Sequence, residues 1–360
     1  MMSELKRHTE NIFSAIEEWL DPGNFDLKQA IDRTVNEGFF SFEDVKNQIL
    51  ALKSTLSREK LTIWAQKSHL KLNALSDKKI LCLHAGNLPL VGFQDLLSTI
   101  MTGGRYFGKL SRKDPYLLPT FLRMAQKHHL LDESTWSTRL EDFRPEPSEA
   151  VLFAGSIETA STIKEELNSF GLIKPDTPYL MRTAHFSMAF IPEKSPQTMK
   201  ELTEAVFRYG GAGCRSVAVV VSPYSLDSIK CEFTDYVESF WLLNPQHQKP
   251  PASLFHRYAL NKATNMSQAW LDDFLIEENL EKPKEKFILY WVQGDFEKFR
   301  QNVEHFEDGL QSLYSTANFV GNKINQFTIE PLSQAQKPPI WWKPDQVDTI
   351  HWLQEKVAVL

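Results

Sequence analysis

The residues around one cysteine carry the strongest indication of chemistry in this sequence. Cys214 follows the run Tyr-Gly-Gly-Ala-Gly at residues 209–213 and precedes an apolar, β-branched run at residues 217–221. Because glycine adopts backbone conformations that other residues avoid, a thiol at this place can be held on a tight turn that is open to a substrate. A thiol on such a turn is a candidate nucleophile. A cysteine taken alone is more often an inert buried thiol, so both interpretations stand at this point.

The remaining cysteines and the histidines indicate no second site. Cys82 falls in a predicted buried strand and Cys231 on a predicted helix, so we interpret both as inert structural thiols. Three cysteines in 360 residues argue against a disulfide scaffold and fit a reducing compartment. The histidines show no metal-ligand spacing with cysteines or acids, so we expect no metal.

Three predicted strands run into loops with small or polar residues. The first loop, residues 84–90, contains Asn87; the second begins at Lys109; the third contains Gly155 and Ser156. Ligands of open α/β sheets bind outside the carboxyl ends of the strands, where helix starts also offer free N–H groups to anions. Each loop taken alone is more simply an ordinary turn, and Lys109 alone a surface lysine. The chain lacks a Gly-x-Gly-x-x-Gly fingerprint and a Walker loop, so a nucleotide site here is of another kind.

Hydrophobic periodicity predicts the elements that position these residues. Residues 3–70 are predicted to be helical, and short apolar runs then alternate with longer amphipathic ones, as in parallel sheets covered by helices. Predicted strands lie at residues 79–83, 106–110, 150–154, 217–221 and 287–292. Predicted helices lie at residues 90–101, 116–128, 158–170, 199–208, 226–242, 296–313 and 347–356.

This alternation predicts an α/β protein with two domains and a tail. The first domain, residues 1–209, contains a helical lead-in and the three loops. The second, residues 210–328, contains Cys214. The tail, residues 329–360, is rich in proline at first and returns to the first domain.

Composition bounds the class of protein. Hydrophobic residues make up 42% of the sequence and charged residues 24%, which is typical of a soluble globular protein. The net charge of −6 gives no electrostatic reason to expect nucleic-acid binding. The first residues are amphipathic, and the longest apolar runs are far shorter than the ~20 residues of a membrane helix. We therefore expect a cytoplasmic protein with no membrane span and no nucleic-acid partner.

Taken together and in order, these features resemble the aldehyde dehydrogenase superfamily. The closest likeness is to its acyl-CoA reductase branch, related to the acyl reductase subunit of the bacterial luminescence fatty-acid reductase complex. The resemblance covers about residue 25 to the C-terminus. The segments that carry it are residues 85–93, 109–114, 155–156, 207–215 and 335–349.

The resemblance implies an aldehyde dehydrogenase-like fold of two Rossmann-like, three-layer α/β/α domains, the first binding NADP and the second catalytic. Cys214 resembles the nucleophile that takes the acyl group as a thioester. Asn87 resembles the side-chain donor of the oxyanion hole, beside the backbone N–H of Cys214. The positions that resemble cofactor contacts are Lys109, Ser111, Gly155 and Ser156, with Ala85 and Gly86 close to the nicotinamide end.

Three departures from the wider pattern are informative. Aldehyde-oxidising members use a glutamate near residues 180–187 to activate water, but no acid lies between Asp176 and Glu193 here, which favours reduction. His185 lies in that segment, and a role as a base and a structural role are equally compatible with it. Arg112 stands where NAD-preferring members carry an acid, and a cation there favours a 2′-phosphate, hence NADPH. Residues 343–346, Lys-Pro-Asp-Gln, replace an acidic stretch expected in this branch.

The sequence therefore predicts an NADPH-dependent reductase that converts a fatty acyl thioester to the aldehyde through an acyl-enzyme on Cys214. The predicted partner is acyl-CoA or an acyl-carrier thioester, and a homo-oligomer or a complex with an acyl-supplying enzyme is compatible with it. Two alternatives stay open. One is a CoA-independent semialdehyde or acyl-phosphate reductase with the same cysteine chemistry, and the other is a non-catalytic acyl- or nucleotide-binding protein of the same fold.

Overall fold

The computed structural model describes residues 2–131, 135–183, 185–245, 250–271, 273–283, 286–316 and 318–358. The chain divides into two units, Met1–Ala184 with Pro339–Leu360, and His185–Pro338. The sequence predicted a boundary near residue 209 and a tail from residue 329. The structure divides the chain elsewhere because the strand at Phe186–Phe190 and the helix at Pro196–Phe207 belong to the sheet and core of the second unit.

The helices and strands follow one another in a largely alternating order. The helices of the described residues are α1 (Met2–Trp19), α2 (Phe25–Asn36), α3 (Phe42–Thr55), α4 (Arg58–Lys67), α5 (Phe93–Thr102), α6 (Leu117–Lys127), α7 (Ile157–Ser169), α8 (Pro196–Phe207), α9 (Leu226–Leu243), α10 (Ala252–Ala263), α11 (Phe296–Phe306) and α12 (Thr349–Val357). The strands are β1 (Lys79–Leu83), β2 (Arg105–Lys109), β3 (Thr135–Ser137), β4 (Ala150–Ala154), β5 (Tyr179–Arg182), β6 (Phe186–Phe190), β7 (Val217–Ser222), β8 (Gln268–Trp270), β9 (Leu275–Glu277), β10 (Ile288–Gln293), β11 (Leu310–Ser315), β12 (Lys323–Ile324) and β13 (Phe327–Pro331).

The lead-in helices α1–α4 belong to the first unit and pack on the helices that cover its sheet. Helices α2, α3 and α4 each begin at a polar cap, whose side chain accepts a backbone N–H of the first turn: Asn24, Ser41 and Ser57. Trp19 of α1 stacks on Phe93 of α5, with 5.3 Å between the ring centroids, and its indole N–H donates to Thr120 Oγ1 of α6 at 2.7 Å. The lead-in thereby shares one core with the helices that cover the sheet.

The first unit contains a five-stranded parallel sheet in the order β3-β2-β1-β4-β5. Its register aligns the strand ends, because Leu83 of β1 pairs with Lys109 of β2 and with Phe153 of β4. The loops after β1, β2 and β4 therefore leave the sheet along one edge. These are the three loops that the sequence analysis singled out.

The second unit contains an eight-stranded sheet in the order β12-β13-β11-β6-β7-β10-β9-β8. Neighbouring strands from β13 to β9 are parallel, and the two edge strands, β12 and β8, are antiparallel to their neighbours. Strand β7 lies inside this sheet, so the apolar run after Cys214 is a central strand, as its valines predict.

One predicted helix is wrong and several strands were not predicted. The helix expected over residues 296–313 ends at Phe306, and Leu310–Ser315 forms the fully buried strand β11. Its continuous burial removes the alternation that would have identified a strand. Strand β6 was missed for the same reason, because it is buried along its whole length, and β5 was missed because it has only four residues. Within the described ranges, every helix is too short or too polar to cross a membrane.

Candidate active site

The loops after β1 and β2 are in direct contact. The backbone N–H of His84 donates to the carbonyl of Lys109 at 3.0 Å. A Cβ at Gly86 would lie 2.0 Å from Ser111 Oγ, so only glycine permits this approach. The structure thus brings together three of the predicted cofactor residues, Ala85, Gly86 and Ser111, at the edge of one sheet.

Asp114 joins the same two loops and was not predicted as a site residue. Its Oδ2 accepts the backbone N–H of Leu90 at 2.6 Å, and the N–H of Leu117 also donates to this carboxyl. The side chain is buried, and burial raises its pKa to about 6 although both hydrogen bonds oppose the shift. Asn87 lies exposed in the loop that Asp114 holds, between the sheet and Leu90.

A buried histidine lies at the start of the first loop. His84 Nε2 is 2.6 Å from Tyr106 Oη, and burial lowers the pKa of the imidazole to about 4, so the ring is neutral. A Cβ at Gly92 would lie 2.0 Å from His84 Nδ1, so glycine provides the space for the ring. Sequence reasoning missed this group because its partners come from another strand and another helix.

The two predicted cations lie at the end of β2 and in the loop that follows it. Lys109 is half-buried and Arg112 is exposed. Burial and then the charge of Arg112 lower the pKa of Lys109, while Glu166 of α7 opposes them. The acid Glu166 was not predicted, because it reaches Lys109 from a helix that lies more than fifty residues further along the chain.

Gly155 and Ser156 form the turn from β4 into α7. Ser156 is exposed and caps α7, its Oγ accepting the N–H of Thr159 at 3.2 Å. A Cβ at Gly155 would lie 2.5 Å from the ring of Phe153, so the turn requires a glycine. The arrangement leaves the N-terminal end of α7 at the same sheet edge as Lys109, where a helix dipole favours an anion.

A cavity of about 390 Å³ lies in the first unit beside the loop after β2. Its walls come from α2, α6 and the residues after β2 and β3, and include Asp26, Arg33, Arg123 and Trp136. It contains none of the predicted site residues. The sequence analysis gave no sign of it, because its walls are assembled from four separated segments.

In the second unit, the backbone before Cys214 is left-handed at three consecutive residues. Tyr209, Gly210 and Gly211 have φ of 59°, 61° and 68°. A Cβ at Gly210 would also lie 2.8 Å from the ring of Phe287. The glycine turn inferred from the sequence is therefore present, between the end of helix α8 at Phe207 and the cysteine.

Cys214 lies half-buried in the next turn, in which the N–H of Ser216 donates to the carbonyl of Gly213 at 2.9 Å. Ser187 Oγ donates to the carbonyl of Cys214 at 2.9 Å. Because Ser187 lies near the start of β6 and Cys214 precedes β7, the thiol lies at the amino ends of two parallel strands. The predicted cofactor residues of the first unit, in contrast, follow the carboxyl ends of their strands.

The residue after Cys214 is fixed by an extended set of hydrogen bonds. Arg215 is buried, and its guanidinium donates to the carboxylate of Glu330 and to the carbonyls of Gln334 and Ala335, each at 2.9 Å. Gln336 also donates to Ser216 Oγ, at 3.2 Å. The tail segment that the sequence analysis associated with a known family thus contacts the turn that carries the thiol.

The two other cysteines differ from each other. Cys82 is fully buried in β1, and burial raises the pKa of its thiol well above the ordinary value, as expected for an inert thiol. Cys231 is exposed on α9, so its interpretation as a buried thiol is wrong. The error arises because cysteine occurs on both the apolar and the polar face of amphipathic helices, so the sequence pattern of α9 does not show which face Cys231 occupies. In the part of the chain that the structure describes, no cluster of three or more histidine, cysteine and acid side chains could hold a metal.

The structure groups the predicted residues in two sets. Ala85, Gly86, Asn87, Lys109, Ser111, Arg112, Gly155 and Ser156 belong to the first unit, and Cys214 belongs to the second. His185, half-buried, is the first residue of the second unit and directly precedes β6.

Comparison with known proteins identifies the fold. No protein-family model and no curated protein sequence matches this chain. Among solved structures, it is similar to aldehyde dehydrogenase 21 from Physcomitrella patens in complex with the reaction product succinate, with a TM-score of 0.59 and 12% identity over 87% of this chain and 72% of that one. It is also similar to the substrate-bound AldH of Staphylococcus aureus, with a TM-score of 0.53 and 13% identity over 88% of this chain and 76% of that one.

A third similar structure is an indole-3-acetaldehyde dehydrogenase complexed with NAD⁺, with a TM-score of 0.51 and 12% identity over 87% of this chain and 76% of that one. These likenesses confirm the predicted aldehyde dehydrogenase-like α/β fold with its parallel, Rossmann-like sheet and helical N-terminus.

Proposed function

We propose that this chain, which has the fold of aldehyde dehydrogenases, is an NADPH-dependent reductase that converts a fatty acyl-CoA to the aldehyde through an acyl-enzyme on Cys214. The observation that carries the proposal is the position of Cys214 in the turn that follows three left-handed residues and leads into a central strand. The fold supports the coarser part of the proposal, an oxidoreductase that acts on an aldehyde or acyl carbon.

The residues of the first unit fit a dinucleotide. Gly86 and Gly155 occupy places where a Cβ would collide with Ser111 and Phe153, so glycine permits the close packing of the loops that carry the predicted cofactor residues. The N-terminal end of α7 and the cations Lys109 and Arg112 provide positive potential for phosphates. When bound, NADPH supplies the hydride for the reduction.

In the first step of the proposed reaction, the Cys214 thiolate attacks the carbonyl carbon of the acyl-CoA. A bond forms between Cys214 Sγ and that carbon, the bond to the coenzyme A sulfur breaks, and coenzyme A leaves as a thiolate that takes a proton. The amide of Asn87 and the backbone N–H of Cys214 are the proposed donors to the oxyanion that develops on the carbonyl oxygen.

In the second step, the thioester carbon is reduced. The resulting thiohemiacetal on Cys214 collapses, the carbon–sulfur bond breaks, and the aldehyde leaves with regeneration of the thiol. The net reaction consumes one acyl-CoA, one NADPH and one proton, and yields aldehyde, coenzyme A and NADP⁺.

The sequence around His185 supports reduction over hydrolysis. The acyl-enzyme must survive until hydride arrives, and a carboxylate that activated water would hydrolyse it. No aspartate or glutamate lies between Asp176 and Glu193, the segment that forms β5 and β6.

The decisive experiment is intact-mass analysis after mixing the protein with acyl-CoAs of several chain lengths in the absence of NADPH. The wild type and Cys231→Ala are expected to gain the mass of the acyl group, and Cys214→Ala is expected to gain none. An acylated Cys214→Ala protein would contradict the assignment. Two further samples distinguish a CoA-dependent enzyme from a CoA-independent one. In the first, an acyl phosphate replaces the acyl-CoA, and in the second, free coenzyme A is added as a competitor.

A further inference from the structure

Arg215 is a buried charged residue next to the proposed nucleophile, and the reaction described above does not use it. Its side chain is 8% exposed. Nε donates to the carbonyl of Ala335, and Nη2 donates to the carbonyl of Gln334 and to Glu330 Oε2, each at 2.9 Å. Nη1 lies 3.4 Å from Ser312 Oγ. A guanidinium held by acceptors on three sides has one orientation.

The turn that contains Cys214 and Arg215 is held from two further directions. Gln336 Nε2 donates to the carbonyl of Ala205 at 3.0 Å and to Ser216 Oγ at 3.2 Å, and so joins the end of α8 to the far side of the turn. Ser187 Oγ donates to the carbonyl of Cys214 itself. The backbone of Cys214 and the guanidinium of the next residue, Arg215, therefore belong to one group of residues that hydrogen bonds hold together.

The charges of this group act on one another. The guanidinium lies 5.3 Å from the centre of the Tyr314 ring. Burial by itself lowers the pKa of Arg215, but Tyr314, Glu330 and Cys214 raise it overall, so the arginine stays charged. Burial raises the pKa of Tyr314, so its phenol stays neutral. Cys214 interacts electrostatically with both residues.

We propose that Arg215 is a positioning residue that favours the thiolate form of Cys214 and that Glu330 and the carbonyls of Gln334 and Ala335 hold it there. The thiol gives its proton to solvent, and the fixed positive charge stabilises the anion that remains, as cations do beside reactive cysteines. The described ionisable groups of this cluster are Cys214, Arg215, Tyr314 and Glu330. The inference rests on the proposed function, since it concerns the reactivity of the proposed nucleophile.

The test measures thiol reactivity without substrate or cofactor. The rate of alkylation by iodoacetamide is followed across the pH range by peptide mass spectrometry, which reports Cys214 and Cys231 separately in one sample. Cys231 is exposed on α9 and serves as an internal control. In the wild type, the midpoint of the Cys214 profile is expected below that of Cys231. A midpoint at or above that of Cys231 would overturn the proposal.

Three variants separate the charge of Arg215 from its structural contacts. Arg215→Met is expected to raise the Cys214 midpoint by about one pH unit or more, which is about tenfold slower alkylation at neutral pH, with the Cys231 profile unchanged. Arg215→Lys keeps the charge and is expected to shift the midpoint less. An unchanged midpoint in a folded Arg215→Met protein overturns the proposal.

Glu330→Gln keeps the test decisive if Arg215→Met fails to fold. This change retains a hydrogen-bond acceptor for the guanidinium and removes the negative charge that offsets it. The Cys214 midpoint is therefore expected to fall below that of the wild type, whereas a purely structural role of the pair predicts no such fall. A midpoint that rises or stays unchanged contradicts the inference.

The two proposals fail in different ways. Acylation of Cys214 by acyl-CoA with an unchanged midpoint in Arg215→Met removes only the role of Arg215. A shifted midpoint in a protein that no acyl-CoA acylates removes only the proposed reaction.

Discussion

Asn87 is an exposed amide in a loop whose two ends are fixed by buried groups. His84 fixes the start through its backbone N–H and its contact with Tyr106, and Asp114 fixes the end through Leu90. A side chain presented in this way is pre-organised, which is what stabilisation of a developing oxyanion requires.

If Asn87 is the side-chain donor of the oxyanion hole, Asn87→Ala is expected to lower the rate of acylation by ~10²-fold or more, while affinity for NADPH changes little. Single-turnover acylation and equilibrium titration with NADPH measure the two quantities. Asn87→Asp, which has the same size but donates no hydrogen bond when ionised, serves as the matched variant. A collapse of NADPH affinity would assign Asn87 to the cofactor site instead.

Arg112 is an exposed cation close to Lys109, and we expect it to determine the preference between NADPH and NADH. A charge-assisted bond to a 2′-phosphate contributes ~1.5–3 kcal/mol, which is roughly ten- to a hundredfold in cofactor preference. We expect the wild type to prefer NADPH, and Arg112→Glu to lower kcat/KM for NADPH far more than for NADH.

Lys113→Glu makes the same change of charge one residue further along and is the control. Lys113 is exposed and does not contribute to the pKa shift of Lys109. Equal use of NADH and NADPH by the wild type would show that this loop does not select the cofactor. The same conclusion would follow from equal effects of the two substitutions.

At the scale of elements, the loops after β1 and β2 behave as one structure. Gly86 approaches Ser111 so closely that no side chain fits between them, and Asp114 receives N–H groups from the first loop and from α6. Disturbing either contact is expected to move both loops.

Gly86→Ala tests the close approach. The added methyl group would meet Ser111 Oγ at 2.0 Å, and such overpacking costs about 1–3 kcal/mol of stability. Ser111→Gly removes the atoms that collide, so the double variant is expected to recover most of the loss in urea unfolding. A double variant as unstable as Gly86→Ala would place the strain elsewhere.

The buried carboxyl of Asp114 is expected to make the stability of the folded protein depend on pH. Its pKa in the folded protein, about 6, lies above the ordinary value of 3.8, so the protonated form favours folding. This contribution is fully present below the unfolded pKa and is lost as the pH rises through about 6. From pH ~4 to ~7 the loss is about 2 kcal/mol.

Asp114→Asn keeps an acceptor for Leu90 and does not titrate. The free energy of unfolding of the wild type, minus that of Asp114→Asn, is therefore expected to fall by about this amount over the same range. Urea unfolding at several pH values measures the difference. Parallel stability curves for the two proteins would contradict the pKa shift.

In the molecule as a whole, helix α12 belongs to the first unit, although the second unit separates it from the rest of that unit in sequence. Arg182 of β5 pairs with Asp95 of α5 at 2.5 Å and donates to Thr349 of α12 at 2.7 Å. Ile350 and Leu353 of α12 are fully buried in the core of the first unit. A helix at the end of the chain is therefore part of the core that supports the β1 and β2 loops.

Truncation after Pro338 is expected to increase hydrogen exchange in α5 and β5, because it removes the buried face of α12 and one of the two partners of Arg182. Strands β7 and β10 of the second unit are expected to keep their protection. Thr349→Val, which removes only the hydrogen bond, is expected to give a smaller increase at the same places. Unchanged exchange in α5 and β5 after truncation would contradict this division of the chain.

The sequence by itself determined the elements whose signals are local. Short apolar runs between turn residues identified β1 and β4 to the residue, and the glycines before Cys214 identified a tight turn, because glycine adopts backbone conformations that most residues avoid. The order of the loops and of Cys214 predicted the fold through its resemblance to the aldehyde dehydrogenase superfamily.

Tertiary structure alone decided the partners and the burial of single side chains. The acceptors of Arg215 lie 97–120 residues away in sequence, and the hydroxyl that contacts His84 comes from a neighbouring strand. Cys231 is exposed and residues 310–315 form a strand because packing selects one face of a helix and one state of an apolar segment. Such choices depend on which surfaces meet, and periodicity along the chain carries no record of that.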